Sequence, residues 1–279
     1  MAGDQPIRID HGAAISWIVF NRPDHANALS PALLDQFSEA LQKLATDGAP
    51  VVGIRGEGRG FCAGMDLGHY GGDAAIPDVA ADQARLQRNV ERWLEIWDHP
   101  KPVIAAVHGY CLGVGAQLCV FADMTIVADD ARIGEPSVPI GGGYIAPTWV
   151  AQVGTKRAKE LAYLPGNWID GRTAVEWGWA NHSVPAETLV ATVTSLAERI
   201  ALVPPEVLRM KKLSINRAAE AAGFRRALDG IAEVDATLHA DPAVLAIRER
   251  IRTQGLKAVM ADYRVAPSSP PTMSTRGES

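Results

Sequence analysis

Two stretches put bare backbone where an apolar strand gives way to a helical pattern: RGFCAGMDL, Arg59 to Leu67, and HGYCLGVGAQL, His108 to Leu118. The N–H groups at a helix start have no partner inside the helix, and the helix dipole adds positive potential there. Two such ends facing one another would make an oxyanion hole, aimed at a carbonyl oxygen that gains negative charge in the transition state. The plain alternative is that the glycines only permit tight strand-to-helix turns; neither stretch alone decides between the two. A third segment, ARIGEPSVPIGGGYIAP from Ala131 to Pro147, is too rich in Pro and Gly for regular structure. A loop that long in a compact domain is usually functional. It carries one carboxylate, Glu135, with Ser137 two places later and Tyr144 at the end of a glycine run.

The elements that must hold these segments read as an α/β fold. IRIDHGAAISWIVF alternates and then runs apolar around a His11-Gly12 turn, the pattern of a hairpin. Ser30-Pro31 is an N-cap followed by Pro at the first helical position, so a helix is expected over Ala32 to Thr46. VVGIRG from Val51, KPVIAAVHG from Lys101 and MTIVAD from Met124 read as buried strands. Gln83 to Trp97 and VGAQLCVFAD from Val114 read as helices between them, giving stacked β-β-α or β-α units around a parallel sheet. TWVAQVGTKRAKELAYL and DGRTAVEWGWANHSV supply two more helices and a strand, and the chain is helical from Ala186 to Tyr263. The expected organisation is a core over 1–185 holding the site, a helical lid or oligomerisation region over 186–265, and a disordered tail over 266–279.

Composition narrows the class. The 279 residues are 47% hydrophobic and 21% charged with a net charge of -5, an ordinary globular balance. Lys and Arg are scattered among acids, so no nucleic-acid or membrane-surface footprint stands out. Cys62, Cys111 and Cys119 lack metal-type pair spacing and read as small core residues in a reducing compartment, with no metal site. With no signal-peptide layout and no membrane-length apolar run, a cytoplasmic protein is expected.

Taken together, NRPDHANALS from Asn21, GRGFCAGMDL from Gly58, HPKPVIAAVHGYCLGVGAQL from His99, ADMTIVADDARIGEPSVPIGGG from Ala122 and AKELAYLPGNWIDGRTAVEWGWANHSV from Ala158 resemble the crotonase superfamily, the enoyl-CoA hydratase/isomerase family. The resemblance implies a β-β-α spiral core with a helical carboxyl-terminal region, and a trimer or dimer of trimers. It implies an acyl-CoA thioester as substrate, coenzyme A arriving with it, and no permanently bound cofactor. Carried over residue by residue, it makes Ala63 and Val114 the backbone donors of the oxyanion hole. It makes His25, Ala26 and Ala63-Gly64-Met65-Asp66 the coenzyme A path, although Asp66 also suits a helix cap.

The resemblance fails where hydratases keep two glutamates. Those positions hold Gln117 and Ser137 here. An amide has no titratable proton near neutral pH and a serine is a poor base alone, so hydration should lose an acid–base contribution of roughly 100- to 10,000-fold. Glu135, Tyr144 and His69 are the candidates to take over. Trp149 is the candidate for bounding an aromatic acyl pocket. Rival readings are hydrolysis, decarboxylation or isomerisation of a thioester, and a catalytically silent acyl-CoA binder.

Overall fold

A computed structural model describes residues 5–70, 78–135, 138–141 and 146–263, with backbone alone at 69, 70, 146 and 147. The chain opens as expected with a hairpin, β1 (Ile7–Asp10) and β2 (Ile15–Phe20), paired antiparallel with Ile7 opposite Phe20. The Ser30 hydroxyl then accepts from the Leu33 N–H at 3.3 Å and starts α1 (Pro31–Thr46). β3 (Val51–Gly56) lies parallel to β2. A short α2 (Leu67–Tyr70) and a long α3 (Val79–Trp97) follow. α3 starts four residues ahead of the sequence expectation because Asp78 caps it, its carboxylate accepting from Ala80 and Ala81.

β4 (Val103–Val107), β5 (Tyr110–Leu112), α4 (Val114–Val120), β6 (Met124–Ala128) and β7 (Arg132–Gly134) come next. After them run α5 (Ala146–Tyr163), β8 (Trp168–Ile169), α6 (Gly171–Glu176) and β9 (His182–Val184). The main sheet has the order β1-β2-β3-β4-β6-β9, parallel from β2 onward. A second sheet, β5-β7-β8, is built from three short strands that sequence periodicity did not reveal. Segments of two or three residues carry too little alternation to read.

The strands of the main sheet are apolar on both faces, which is what a covered parallel sheet requires. Alternate residues sort cleanly: Ile18, Phe20, Val103, Ala105 and Val107 enter the main core, while Trp17, Val19, Ile104 and Ala106 face a second cluster. That second cluster is closed by Leu189, Val193 and Ala197 of α7 (Leu189–Ile200).

The remaining chain is helical, as expected: α8 (Pro205–Ala221), α9 (Ile231–His239), α10 (Pro242–Gln254) and α11 (Leu256–Asp262). Phe224, Leu228, Ile231, Ala232 and Ala236 belong to the main core, so this region is packed into the fold through α9 against α3. The buried Lys212 ammonium on α8 donates to Asp123 Oδ2 at 2.8 Å, and the same oxygen accepts from the Val103 N–H at 2.7 Å. Trp149 is 2% exposed and packs on Trp179 with ring centroids 5.6 Å apart. It is core, which corrects the expectation of an aromatic pocket wall. The three cysteines are buried and free. Among the described residues no helix is long and apolar enough to cross a membrane.

Candidate active site

A cavity of about 480 Å³ opens between the two strand-to-helix turns, the end of β7, and helices α3, α9, α10 and α11. That size suits a small organic ligand or the reacting part of a larger one. The turns are laced together by backbone. Cys62 N–H donates to Tyr110 O at 3.1 Å, and Leu112 N–H returns to Cys62 O at 2.9 Å. Gly113, at φ 54° and ψ −126°, swings the chain from β5 into α4 while its N–H holds Gly134 O at 2.8 Å. Gly64, at φ +97°, brings the first turn against the second: a Cβ there would lie 3.1 Å from Leu112 O and 3.8 Å from Val114 N. The two glycines therefore set the turns edge to edge, a placement that larger residues would oppose.

Where each amide goes can be followed hydrogen by hydrogen. On the first turn the Ala63 N–H donates to Ala26 O at 3.1 Å, so the residue expected to hold a substrate oxygen is already committed within the protein. Ala26 and Asn27 both sit in the left-handed region, at φ 53° and 52°. The buried Asn27 side chain pins them, donating to Glu57 O and Gly60 O at 2.9 Å each and accepting from Arg22 N. Gly64 N–H turns back to Cys62 Sγ at 3.3 Å and Asp66 N–H goes to Leu29 O at 3.2 Å. Among the described residues the Met65 N–H has no partner. The expectation for Ala63 is corrected accordingly: the free donor lies two residues later. On the second turn the Ala116 and Gln117 N–H groups close onto Gly113 O, which leaves the Val114 and Gly115 N–H groups, the first two of α4, without a partner among the described residues; of the pair, Val114 lines the cavity.

His25, Ala26, Ala63, Gly64, Met65, Asp66 and Val114 all line the cavity. Asp66 behaves as the cap its sequence position suggests. Its Oδ1 accepts from Gly68 N at 3.1 Å and its Oδ2 from Arg22 Nη1 at 2.9 Å. Gln117 is fully buried within α4 and is not among the lining residues. Ser137, Tyr144 and the His69 side chain lie outside the described residues.

Of the expected proton carriers, Glu135 is the one the structure places on the cavity wall beside the donor turns. It follows Gly134, whose carbonyl is bonded to Gly113, so the end of β7 is fastened beside the Val114 turn. Burial, reinforced by the neighbouring Asp235 carboxylate, pushes its pKa up to about 7. A carboxyl at that value is half protonated at neutral pH and can both take and return a proton.

Sequence reasoning missed the opposite wall. Arg85 and Asn89 from α3, Asp235 and His239 from α9, and Arg248 from α10 all face the cavity. His239 Nδ1 is 2.6 Å from Asp82 Oδ2, and its Nε2 is 3.7 Å from Asp235 Oδ2. Asp82 also accepts from Arg85 Nε at 2.8 Å, and its partners His239 and Arg85 hold its carboxyl below the usual range although burial opposes them. The available signal was the spacing in IAEVDATLH, which puts Asp235 and His239 on the helix face of Ile231.

A spiral of β-β-α units, with two free backbone donors and a carboxyl around a cavity, defines a crotonase-like α/β protein. The enoyl-CoA hydratase/isomerase family model matches residues 10–243, and the chain belongs to that family. It is 29% identical over 267 residues to hydroxycinnamoyl-CoA hydratase-lyase of Pseudomonas fluorescens, covering 94% of each chain. It is 34% identical over 211 residues to 1,2-epoxyphenylacetyl-CoA isomerase of Escherichia coli, covering 72% of this chain and 78% of that one. Among solved structures, a candidate enoyl-CoA hydratase/isomerase from Novosphingobium aromaticivorans superposes with a TM-score of 0.90 at 58% identity, over 93% of this chain and 95% of that one.

Proposed function

We propose that this enoyl-CoA hydratase/isomerase family member adds water reversibly to a 2-enoyl-CoA thioester, with Glu135 carrying the proton. The thioester oxygen sits between the Val114 and Met65 N–H groups, and the coenzyme A follows His25, Ala26 and the 63–66 turn. Ionised Glu135 takes a proton from water as the water oxygen bonds to the β-carbon. The electrons of the double bond move to the thioester oxygen, whose negative charge the two N–H groups stabilise. Protonated Glu135 then gives its proton to the α-carbon, and one water has been added.

The observation that carries this reading is Glu135 itself, half-buried beside the donor turns with its pKa raised to about 7. It answers the loss of both hydratase glutamates, because one carboxyl near neutrality can serve as base and then as acid. The same single shuttle suffices for moving a double bond, which is a proton leaving one carbon and returning to another. A trimer or dimer of trimers is proposed on the family resemblance; exposed Val207, Met210 and Ile215 on α8 give apolar surface for such packing.

The test is exchange of the α-proton of a saturated acyl-CoA in deuterated water, alongside loss of enoyl absorbance with crotonyl-CoA. Wild type should do both, and Glu135→Gln neither at a comparable rate. A silent acyl-CoA binder would show no exchange, and full activity in Glu135→Gln would remove Glu135 from the mechanism.

A further inference from the structure

Arg248 lines the cavity from α10, and its Nε is shut away from solvent with no hydrogen-bond partner. No carboxylate stands within ion-pairing distance of its guanidinium among the described residues. Burial, the dominant influence, pushes its pKa down, while Asp82 and Asp235 lie near enough to act the other way. A guanidinium is a fork of donors that stays charged, and leaving one of its N–H groups buried and unbonded is costly. Its neighbours are occupied with one another: Asp82 holds Arg85 and His239, and the Asp235 carboxylate faces the His239 ring. Among the described residues, the Arg248 Nε–H is therefore the buried donor on this wall that meets no acceptor.

The surroundings make that wall selective. Leu86, Val138, Ile140, Ile251, Leu256 and Met260 give the cavity an apolar sleeve, and the charged group is set into it. Gly141 leaves room above the cluster: a Cβ there would stand 3.4 Å from Asp235 Oδ1 and 3.6 Å from His239 Nε2. Asp235 is also the carboxylate that acts on Glu135, which places the wall next to the proton carrier and within reach of a short acyl group. A hydrocarbon end would bury Arg248 further and give it nothing.

We propose that the acyl group this cavity accepts ends in an oxygen function, a hydroxyl or a carboxylate, that takes a hydrogen bond from Arg248. This rests on the reading of the cavity as an acyl-thioester site, deepens it to a substrate class, and makes Arg248 a specificity-determining residue. The acyl chain passes the donor turns and Glu135, runs through the apolar sleeve, and places its terminal oxygen against the guanidinium.

The test is calorimetric and needs no turnover. Heptanoyl-CoA, 6-hydroxyhexanoyl-CoA, adipoyl-CoA and free coenzyme A are titrated into wild type and Arg248→Met. In wild type, one or both oxygenated thioesters should bind at least about tenfold tighter than heptanoyl-CoA, the effect of one buried hydrogen bond to a charged group. The hydroxyl and carboxylate arms tell the two ends apart. In Arg248→Met the three thioesters should bind within about twofold of one another. Heptanoyl-CoA binding as tightly as both oxygenated ligands in wild type overturns the proposal, and that ranking decides even if the variant does not fold. So does a preference that survives in Arg248→Met, or an equal loss of free coenzyme A affinity, which would put Arg248 on the phosphates. If no thioester binds wild type, the acyl-CoA reading falls and takes the proposal with it.

Discussion

The two sides of the cavity are made of different material. On the side of the 61–66 and 109–117 turns the polar groups that face inward are backbone amides, held by strand pairing and by two glycines, and the Asp66 carboxylate, which is tied up with Gly68 and Arg22. Gln117, the side chain that could do chemistry there, is sealed inside α4. On the side of β7, α9 and α10 the inward groups are titratable: Glu135, Asp235, His239 and Arg248. The difference separates two tasks. Polarising a carbonyl needs donors that do not move, which a sheet-anchored turn supplies with no side chain at all. Moving protons and reading an acyl group need ionisable side chains, and these come from a loop and from helices whose sequence can vary without disturbing the sheet.

Removing the titratable side should have the largest effect. Glu135→Gln keeps shape and deletes the proton, so turnover should fall roughly 100- to 10,000-fold. In wild type, kcat/KM should rise about tenfold per pH unit below about 7 and level off above it, because the base must start ionised. A flat profile through pH 7, or one unaltered by the substitution, would assign the proton to another group.

The backbone side is tested by Val114→Pro. Proline is accommodated at the first position of a helix, where it removes an N–H that has no partner inside α4. Losing one of two oxyanion donors should cost about 100- to 1,000-fold in kcat with the fold intact by circular dichroism. Activity within a few-fold of wild type would mean that the Val114 amide does not face the thioester oxygen.

The carboxyl proposed as the proton carrier should also weaken the fold. Folded Glu135 keeps its proton to about pH 7, whereas its ordinary value is 4.5. Between those values the folded protein binds a proton that the unfolded chain has released, so stability falls as pH rises through the window. Glu135→Gln escapes this cost. It should be more stable than wild type by up to about 3 kcal/mol at pH 8 and by little at pH 4. Thermal melts at the two pH values measure the difference, and an equal gain at both would detach it from ionisation.

Legibility in the sequence followed the same division. Long apolar or amphipathic runs with caps declared themselves, as with the β1–β2 hairpin, α1 from Ser30 and the parallel strands. The second sheet was hidden because its strands are two or three residues long and gain their identity only from pairing. The donor turns were legible as bare backbone, but which amide was free was not. That depended on Ala26 being held in a left-handed conformation so that its carbonyl reaches Ala63. Glu135 was visible because a lone carboxylate in a Pro- and Gly-rich loop is conspicuous. Asp82, Asp235, His239 and Arg248 were not, since charges spread over three helices are common on solvated faces and only tertiary packing turns these inward.

The smallest effect bears on the sealed amide. If the glutamate positions of hydratases were simply vacant here, Gln117→Glu would restore activity. Gln117 has no exposed surface and does not line the cavity, so a carboxyl placed there meets neither substrate nor water. Burial would keep it protonated, and exchanging an amide for a carboxylic acid replaces two donors with one. Gln117→Glu should therefore lose about 1–2 kcal/mol of stability and gain nothing in hydration of crotonyl-CoA. A rise of tenfold or more in hydration would show that this position reaches the substrate after all. The split between a silent backbone side and an active side-chain side would then be a matter of which residues occupy the positions, with the geometry open to carboxylates on both.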